Sequence, residues 1–85
     1  MDSYKVKIKP SAVKELKHLP KKDLKRAVSK IRGLANNPRP EGCIKLSGSE
    51  KYRIRQGNYR IVYSIQDDVL VVVVVKVAHR KEAYR

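Results

Sequence analysis

Phenylalanine and tryptophan are absent from this chain, cysteine occurs once, and acidic residues are scarce, with 8 Asp and Glu against 21 Lys and Arg. Each shortage narrows what the protein can be. A lone Cys43 forms no intramolecular disulfide. With only His18 and His79 beside it there is no metal-site pattern, and no glycine-rich phosphate loop is present, so neither a metal nor another cofactor is expected. Long apolar runs are missing too. Val69 to Val75 is too short to cross a bilayer, and the opening stretch Met-Asp-Ser-Tyr-Lys-Val-Lys-Ile does not resemble a signal peptide. The expectation is a cytoplasmic protein with no membrane partner. Repeats, low-complexity blocks and linkers are also absent, so residues 1–85 are expected to form a single domain with one modest core.

What the chain has in excess is positive charge. A formal net charge of +13 on 85 residues predicts a polyanionic partner: nucleic acid first, an acidic protein second, a membrane surface third.

That charge is most ordered between Tyr52 and Tyr63. The run alternates with period two on both sides of Gly57-Asn58, and a Gly-Asn pair between alternating runs signals a two-residue hairpin loop. Counting outward pairs Gln56 with Tyr59, Arg55 with Arg60, Ile54 with Ile61, Arg53 with Val62 and Tyr52 with Tyr63. One face then holds Tyr52, Ile54, Ile61 and Tyr63, a core face, and the other gathers Lys51, Arg53, Arg55 and Arg60. Like charges directly opposite on a strand pair are destabilising by up to about 1 kcal/mol. A cluster that carries such a cost and contains no acid awaits an anion.

Around this hairpin the periodicity fixes a layout. Tyr4, Val6 and Ile8 alternate with Lys5, Lys7 and Lys9, giving a half-buried first strand with a lysine comb on its wet face, ended by Pro10. Ala12, Val13, Leu16 and Leu19 follow helical spacing up to Pro20. A longer helix carries Leu24, Ala27, Val28, Ile31, Leu34 and Ala35 on its apolar stripe and is stopped by Asn36-Asn37-Pro38. The polar faces of the two helices are cationic, and Lys22, Lys25 and Arg26 are candidates for contact with a phosphate backbone. After a loop at 37–42 come a short strand at Ile44, Lys45 and Leu46, the hairpin, and a last strand from Val69 to Ala78. That strand is apolar on both parities and so is interior to the sheet. The predicted fold is α+β: a helical hairpin packed on one face of a twisted, mainly antiparallel sheet of four to five strands, in the order strand, helix, helix, strands.

With these residues in place the chain resembles the RelE/ParE superfamily of bacterial and archaeal toxins, in its RelE-like branch. The likeness is carried by Lys45-Leu46-Ser47-Gly48, by Tyr52-Arg53-Ile54-Arg55 through Gly57-Asn58-Tyr59-Arg60 to Tyr63, and by Val77-Ala78-His79-Arg80 with Tyr84. Leu16-Lys17-His18-Leu19-Pro20 and Asn37-Pro38 extend it over nearly the whole chain. The resemblance implies the toxin of a type II toxin–antitoxin system, an mRNA interferase (an endoribonuclease) that enters the aminoacyl-tRNA site of the 70S ribosome and cuts the message there. An acidic, RelB-like antitoxin neutralises it, and operator DNA is bound only through that complex. The ribose 2′-hydroxyl attacks the adjacent phosphate, leaving a cyclic phosphate and a free 5′-hydroxyl.

By position, the resemblance assigns Arg53, Arg55 and Arg60 to the phosphate, Arg80 to the leaving group or transition-state charge, and Tyr84 to stacking on a base. Lys45 and Lys51 are generic phosphate contacts. Lysines usually stand where Arg53 and Arg55 stand, and a guanidinium, unlike a lysine, does not give up its proton. His79 is expected first as proton carrier, because imidazole ordinarily titrates near neutrality, with Glu82 and Tyr84 behind it. Two alternatives remain at this stage: a ParE-like inhibitor of DNA gyrase acting by protein binding, and a non-catalytic member that only binds nucleic acid.

The position of Arg80 poses a conflict of parity. If Asp67-Asp68 is a two-residue turn and alternation is unbroken, Val75 and Val77 share the arginine face while Lys76 and Arg80 fall on the other. An active-site role for Arg80 then requires a longer turn, a bulge near Ala78, or a tail that has left the strand.

Overall fold

Local chemistry accounts for the order of elements in the computed structural model, which describes residues 3–48 and 50–79. Strand β1 (Lys5–Ile8) is followed by α1 (Pro10–Lys17), α2 (Lys21–Gly33), β2 (Ile44–Lys45), β3 (Lys51–Gln56), β4 (Tyr59–Gln66) and β5 (Val71–His79). Pro10 opens α1 as well as ending β1, since the first helical position has no use for an N–H. Pro20 acts in the same way immediately before α2. The two helices lie on one face of a five-stranded sheet of order β1-β5-β4-β3-β2. Only β1 pairs in parallel, with β5; the other pairings are antiparallel.

The core forms between the helices and one side of the sheet. Ala12 and Leu16 from α1, Ala27 and Ile31 from α2, and Leu34 just beyond it are buried against Ile54, Ile61, Tyr63, Val72, Val74 and Val77. Burying a side chain the size of Leu or Ile contributes roughly 1.5–3 kcal/mol, so this single cluster supplies most of the drive to fold. The hairpin has the expected register, from Lys51 opposite Ser64 to Gln56 opposite Tyr59. Gly57 sits at its tip with φ of 61°, a left-handed conformation that glycine adopts without strain.

Two departures from the sequence reading concern β5. The strand begins at Val71 rather than Val69, because residues 67–70 form a four-residue turn between the paired Gln66 and Val71. Leu70 closes that turn at φ 55°, and its carbonyl accepts the Lys5 amide at 2.8 Å. The second departure settles the parity conflict for the described residues. Ser64 pairs with Val73 and Tyr63 with Val74, yet Val62 pairs with Lys76, leaving Val75 as an extra residue in a β-bulge. Lengthening the turn by two residues preserves parity; the bulge reverses it. Val77 therefore enters the core, while Lys76 and Ala78 share the face of Val62 and Arg60.

Candidate functional site

The sheet face away from the helices can be read rung by rung. Beside the hairpin tip, Arg55 lies opposite Arg60, which lies opposite Ala78. In the next rung of this face come Ile44, Arg53, Val62 and Lys76, and in the one after it Lys51, Ser64 and Val73. Directly opposed strand residues have Cβ atoms about 4.5–5.5 Å apart. Arg55 and Arg60 are thus side by side, with Arg53 two residues along. Their settings differ: Arg55 is exposed and Arg53 half-buried. Arg60 keeps only 3% of its surface and is the one charged residue buried among those described. The face is open around Arg55 but enclosed around Arg60, where less surrounding water means that its charge is felt more strongly by a neighbouring anion.

No strand residue described on this face is acidic. Lys76 is drawn off it, its Nζ reaching Glu15 Oε2 on α1 at 3.2 Å. Arg53 and Arg55 take part in no ion pair among the described residues. The guanidinium groups of the exposed Arg55 and half-buried Arg53 are of the type that holds a phosphate bidentately. These groups stay protonated and so accept no proton.

Other candidates fall elsewhere. His79 pairs with Tyr59 and meets its ring edge-on, centroids 5.5 Å apart, and the two line a cleft with Glu15, His18, Leu19 and Val77. That cleft belongs to the helix side. The same bulge that turns Lys76 and Ala78 to the arginine face places His79, the expected proton carrier, on the opposite parity. Lys45 pairs with Tyr52, on the parity opposite to Arg53. Lys22, Lys25 and Arg26 are exposed on α2, in the helix layer. They form a second cationic surface rather than an extension of the first. Arg26 also lines a cleft of about 370 Å³ with Ser29, Lys30 and Gln56. Arg80, Glu82 and Tyr84 lie outside the described residues.

One cluster escaped the sequence reading. Arg39 donates to both carboxylate oxygens of Asp67, at 3.2 and 2.9 Å, and through Nε to the Tyr52 hydroxyl at 3.3 Å. Its guanidinium lies 5.2 Å from the centre of the Tyr52 ring. Tyr4 donates to Asp67 at 2.6 Å, Tyr52 stacks on Tyr63, and the Tyr63 hydroxyl donates to the buried Pro38 carbonyl at 2.7 Å. The Arg39 and Tyr4 hydrogen bonds hold the Asp67 carboxyl down at about 2, and burial pushes the Tyr63 phenol up. This clasp ties the loop after α2 to the far end of β4. Its only sequence signal was an arginine in a proline-rich loop, and nothing local says which acid it meets.

Known proteins resemble the chain over nearly its whole length. Residues 6–84 match the family model described as ParE toxin of type II toxin–antitoxin system, parDE. The toxin RelE of Mycobacterium tuberculosis is 34% identical over 84 residues, covering 96% of this chain and 87% of that one. A Methanocaldococcus jannaschii chain named as toxin RelE1 is 33% identical over 86 residues, covering 96% of each. Among solved structures, the archaeal RelE–RelB complex from Pyrococcus horikoshii matches with a TM-score of 0.83 and 34% identity, over 93% of this chain and 97% of the other.

Proposed function

Because the chain belongs to the RelE/ParE superfamily, the toxins of type II toxin–antitoxin systems, we propose that it is a ribosome-dependent mRNA endonuclease. One observation carries this reading: Arg53, Arg55 and Arg60 are gathered on the sheet face away from the helices, where no described strand residue is acidic. A strand pair that places Arg55 against Arg60, with Arg53 beside them, is suited to the non-bridging oxygens of a phosphate whose charge grows as it is attacked. In the reaction the ribose 2′-oxygen forms a new bond to phosphorus and loses its proton. The bond to the 5′-oxygen breaks and that oxygen gains a proton, leaving a cyclic phosphate and a 5′-hydroxyl. Arg53, Arg55 and Arg60 hold the phosphorane.

Arg80 is assigned to the leaving oxygen and Tyr84 to stacking on a base. With His79 on the helix side, proton transfer falls to Glu82 or Tyr84 from the carboxyl end, or to water and ribosomal RNA. The protein then acts mainly by positioning and electrostatics, which can supply several kcal/mol of a barrier without a protein base, roughly 7–11 kcal/mol in well-oriented cases. Lys51 contributes a further phosphate contact beside the clamp, and Lys45, Lys22, Lys25 and Arg26 meet ribosomal RNA from other sides. The Pyrococcus chain was solved with RelB. By analogy an acidic antitoxin holds this toxin silent in the cytoplasm, and only that complex touches operator DNA.

The second reading is a gyrase inhibitor, and the family model's ParE description favours it. The two readings separate cleanly on expression without antitoxin. Primer extension on translated messages should find cuts within ribosome-covered codons that vanish in Arg60→Ala and Tyr84→Ala. Growth arrest with intact messages and a DNA-damage response would overturn the endonuclease in favour of gyrase. Binding to ribosomes with neither outcome would leave a non-catalytic member.

A further inference from the structure

The arginine face does not end at β5. The parallel pairing of β1 sets Lys5 beside Val71 and Lys7 beside Val73, and those valines lie opposite Gln66 and Ser64 on β4. Val6 and Ile8, between the lysines, pair with the buried Val72 and Val74 of the core side. Lys5 and Lys7 therefore project from the same face as Arg53, Arg55 and Arg60. Both lysines are exposed, and neither takes part in an ion pair among the described residues. Lys7 and Lys51 stand at opposite ends of one rung, Lys51-Ser64-Val73-Lys7, three strand spacings or roughly 14 Å apart. Val62, Ser64, Val71 and Val73 make an uncharged floor between the two cationic rows.

We propose that Lys5 and Lys7 form a second phosphate-binding row, which holds the message strand where it continues beyond the nucleotides in the arginine clamp. The inference rests on the endonuclease reading for the identity of the strand. Charge complementarity argues for it. A single strand leaving the clamp across the sheet passes over a neutral floor wide enough for a nucleotide, then meets cations that no described acid neutralises. An RNA path that left the sheet at β4 would make no use of them. Placement on β1 also separates this row from the chemistry: the lysines can fix the register of the strand without touching the scissile phosphate.

The test uses the full chain and 70S ribosomes programmed with a message that carries a 2′-deoxy nucleotide at the cut site, so that binding is read without cleavage. Lys5→Gln/Lys7→Gln should weaken binding 3- to 10-fold. It should also flatten the dependence of log affinity on log salt by about 1 to 1.5, the slope expected from roughly two phosphate contacts on a single strand. Lys5→Arg/Lys7→Arg should bind within twofold of the parent, and unchanged thermal unfolding of both variants excludes misfolding. A set of messages with single methylphosphonate linkages flanking the cut then identifies the strand. At one or two of these positions, neutralising the linkage should weaken the parent but not Lys5→Gln/Lys7→Gln.

Unchanged affinity and salt slope would overturn the proposal. So would a loss of affinity that is equal at every methylphosphonate position in both proteins, which would place the contact on ribosomal RNA. Weakened binding to the antitoxin alone would overturn it in favour of a protein partner. An ordinary message, run in parallel with the parent protein, separates the two readings. Absence of cleavage there sinks the endonuclease, whereas the binding arms still decide the lysine row.

Discussion

Arg39, in the loop after α2, and Arg53 and Arg55 on β3 are treated in opposite ways. Arg39 is tied by two hydrogen bonds to Asp67, a third to Tyr52 and the face of the Tyr52 ring. Arg53 and Arg55 meet no acid at all among the described residues. Acid is scarce in this chain, and two of its carboxylates are held in structural pairs: Asp67 at the clasp, Glu15 against Lys76. Arg39 holds the fold together through such a partner, whereas Arg53 and Arg55 have none among the described residues.

This contrast breaks most visibly if the clamp is removed. Arg53→Ala/Arg55→Ala should lower ribosome-dependent cleavage by about 100-fold or more. Its thermal midpoint should stay the same or rise slightly, because the repulsion between Arg55 and Arg60 is relieved. Single-turnover cleavage and a melting curve check both halves; a matching loss of cleavage in Arg39→Ala would erase the distinction. At the clasp the expected effects are on folding. Tyr63→Phe leaves the buried Pro38 carbonyl without its donor and should cost about 1–2 kcal/mol in urea unfolding, with cleavage retained.

A smaller effect tests the acid of the clasp. The Asp67 carboxyl is held at about 2 by Arg39 and Tyr4 in the folded chain, against about 3.9 for an ordinary aspartate. A depressed carboxyl stabilises the folded state above the ordinary value, and that contribution fades as pH falls from about 4 towards 2. Melting of Asp67→Asn against the parent should therefore show a gap at pH 6 that closes near pH 2 and shrinks with added salt. A gap that stays constant through the acid range would mean that the carboxylate charge contributes nothing. The smallest expected effect is at His79: changing it to Gln should leave the cleavage rate and its pH profile unaltered. A slowed, pH-shifted reaction would return a proton-transfer role to the helix side.

Much of this organisation was legible in the sequence wherever it was local. Gly57-Asn58 and the alternation on either side of it fixed the register of β3 against β4 residue by residue, and with it the grouping of the arginines. Three features were hidden, each for a physical reason. Val71 to Val75 are identical side chains, so no pattern could reveal that Val75 is the extra residue of a bulge; yet that residue decides which way Lys76 and His79 face. The lysine comb of β1 was evident, but the face it shares follows from a parallel pairing with a strand more than sixty residues away. The Arg39 clasp likewise joins partners separated by 28 residues, and nothing near Arg39 in sequence names Asp67.

Glu15 has a consequence for how the molecule behaves in company. β1 shields the outer edge of β5 only along Val71 to Val74. Beyond that point the edge would present backbone donors next to a run of valines, a sequence well suited to stacking strand upon strand with another copy. The Glu15 carboxylate accepts the Val77 amide at 2.8 Å through one oxygen and the Lys76 ammonium through the other. A single acid on a helix thereby occupies the place that a neighbouring chain's carbonyl could take. That contact links α1 to the sheet and at the same time satisfies an edge amide that another strand would otherwise seek.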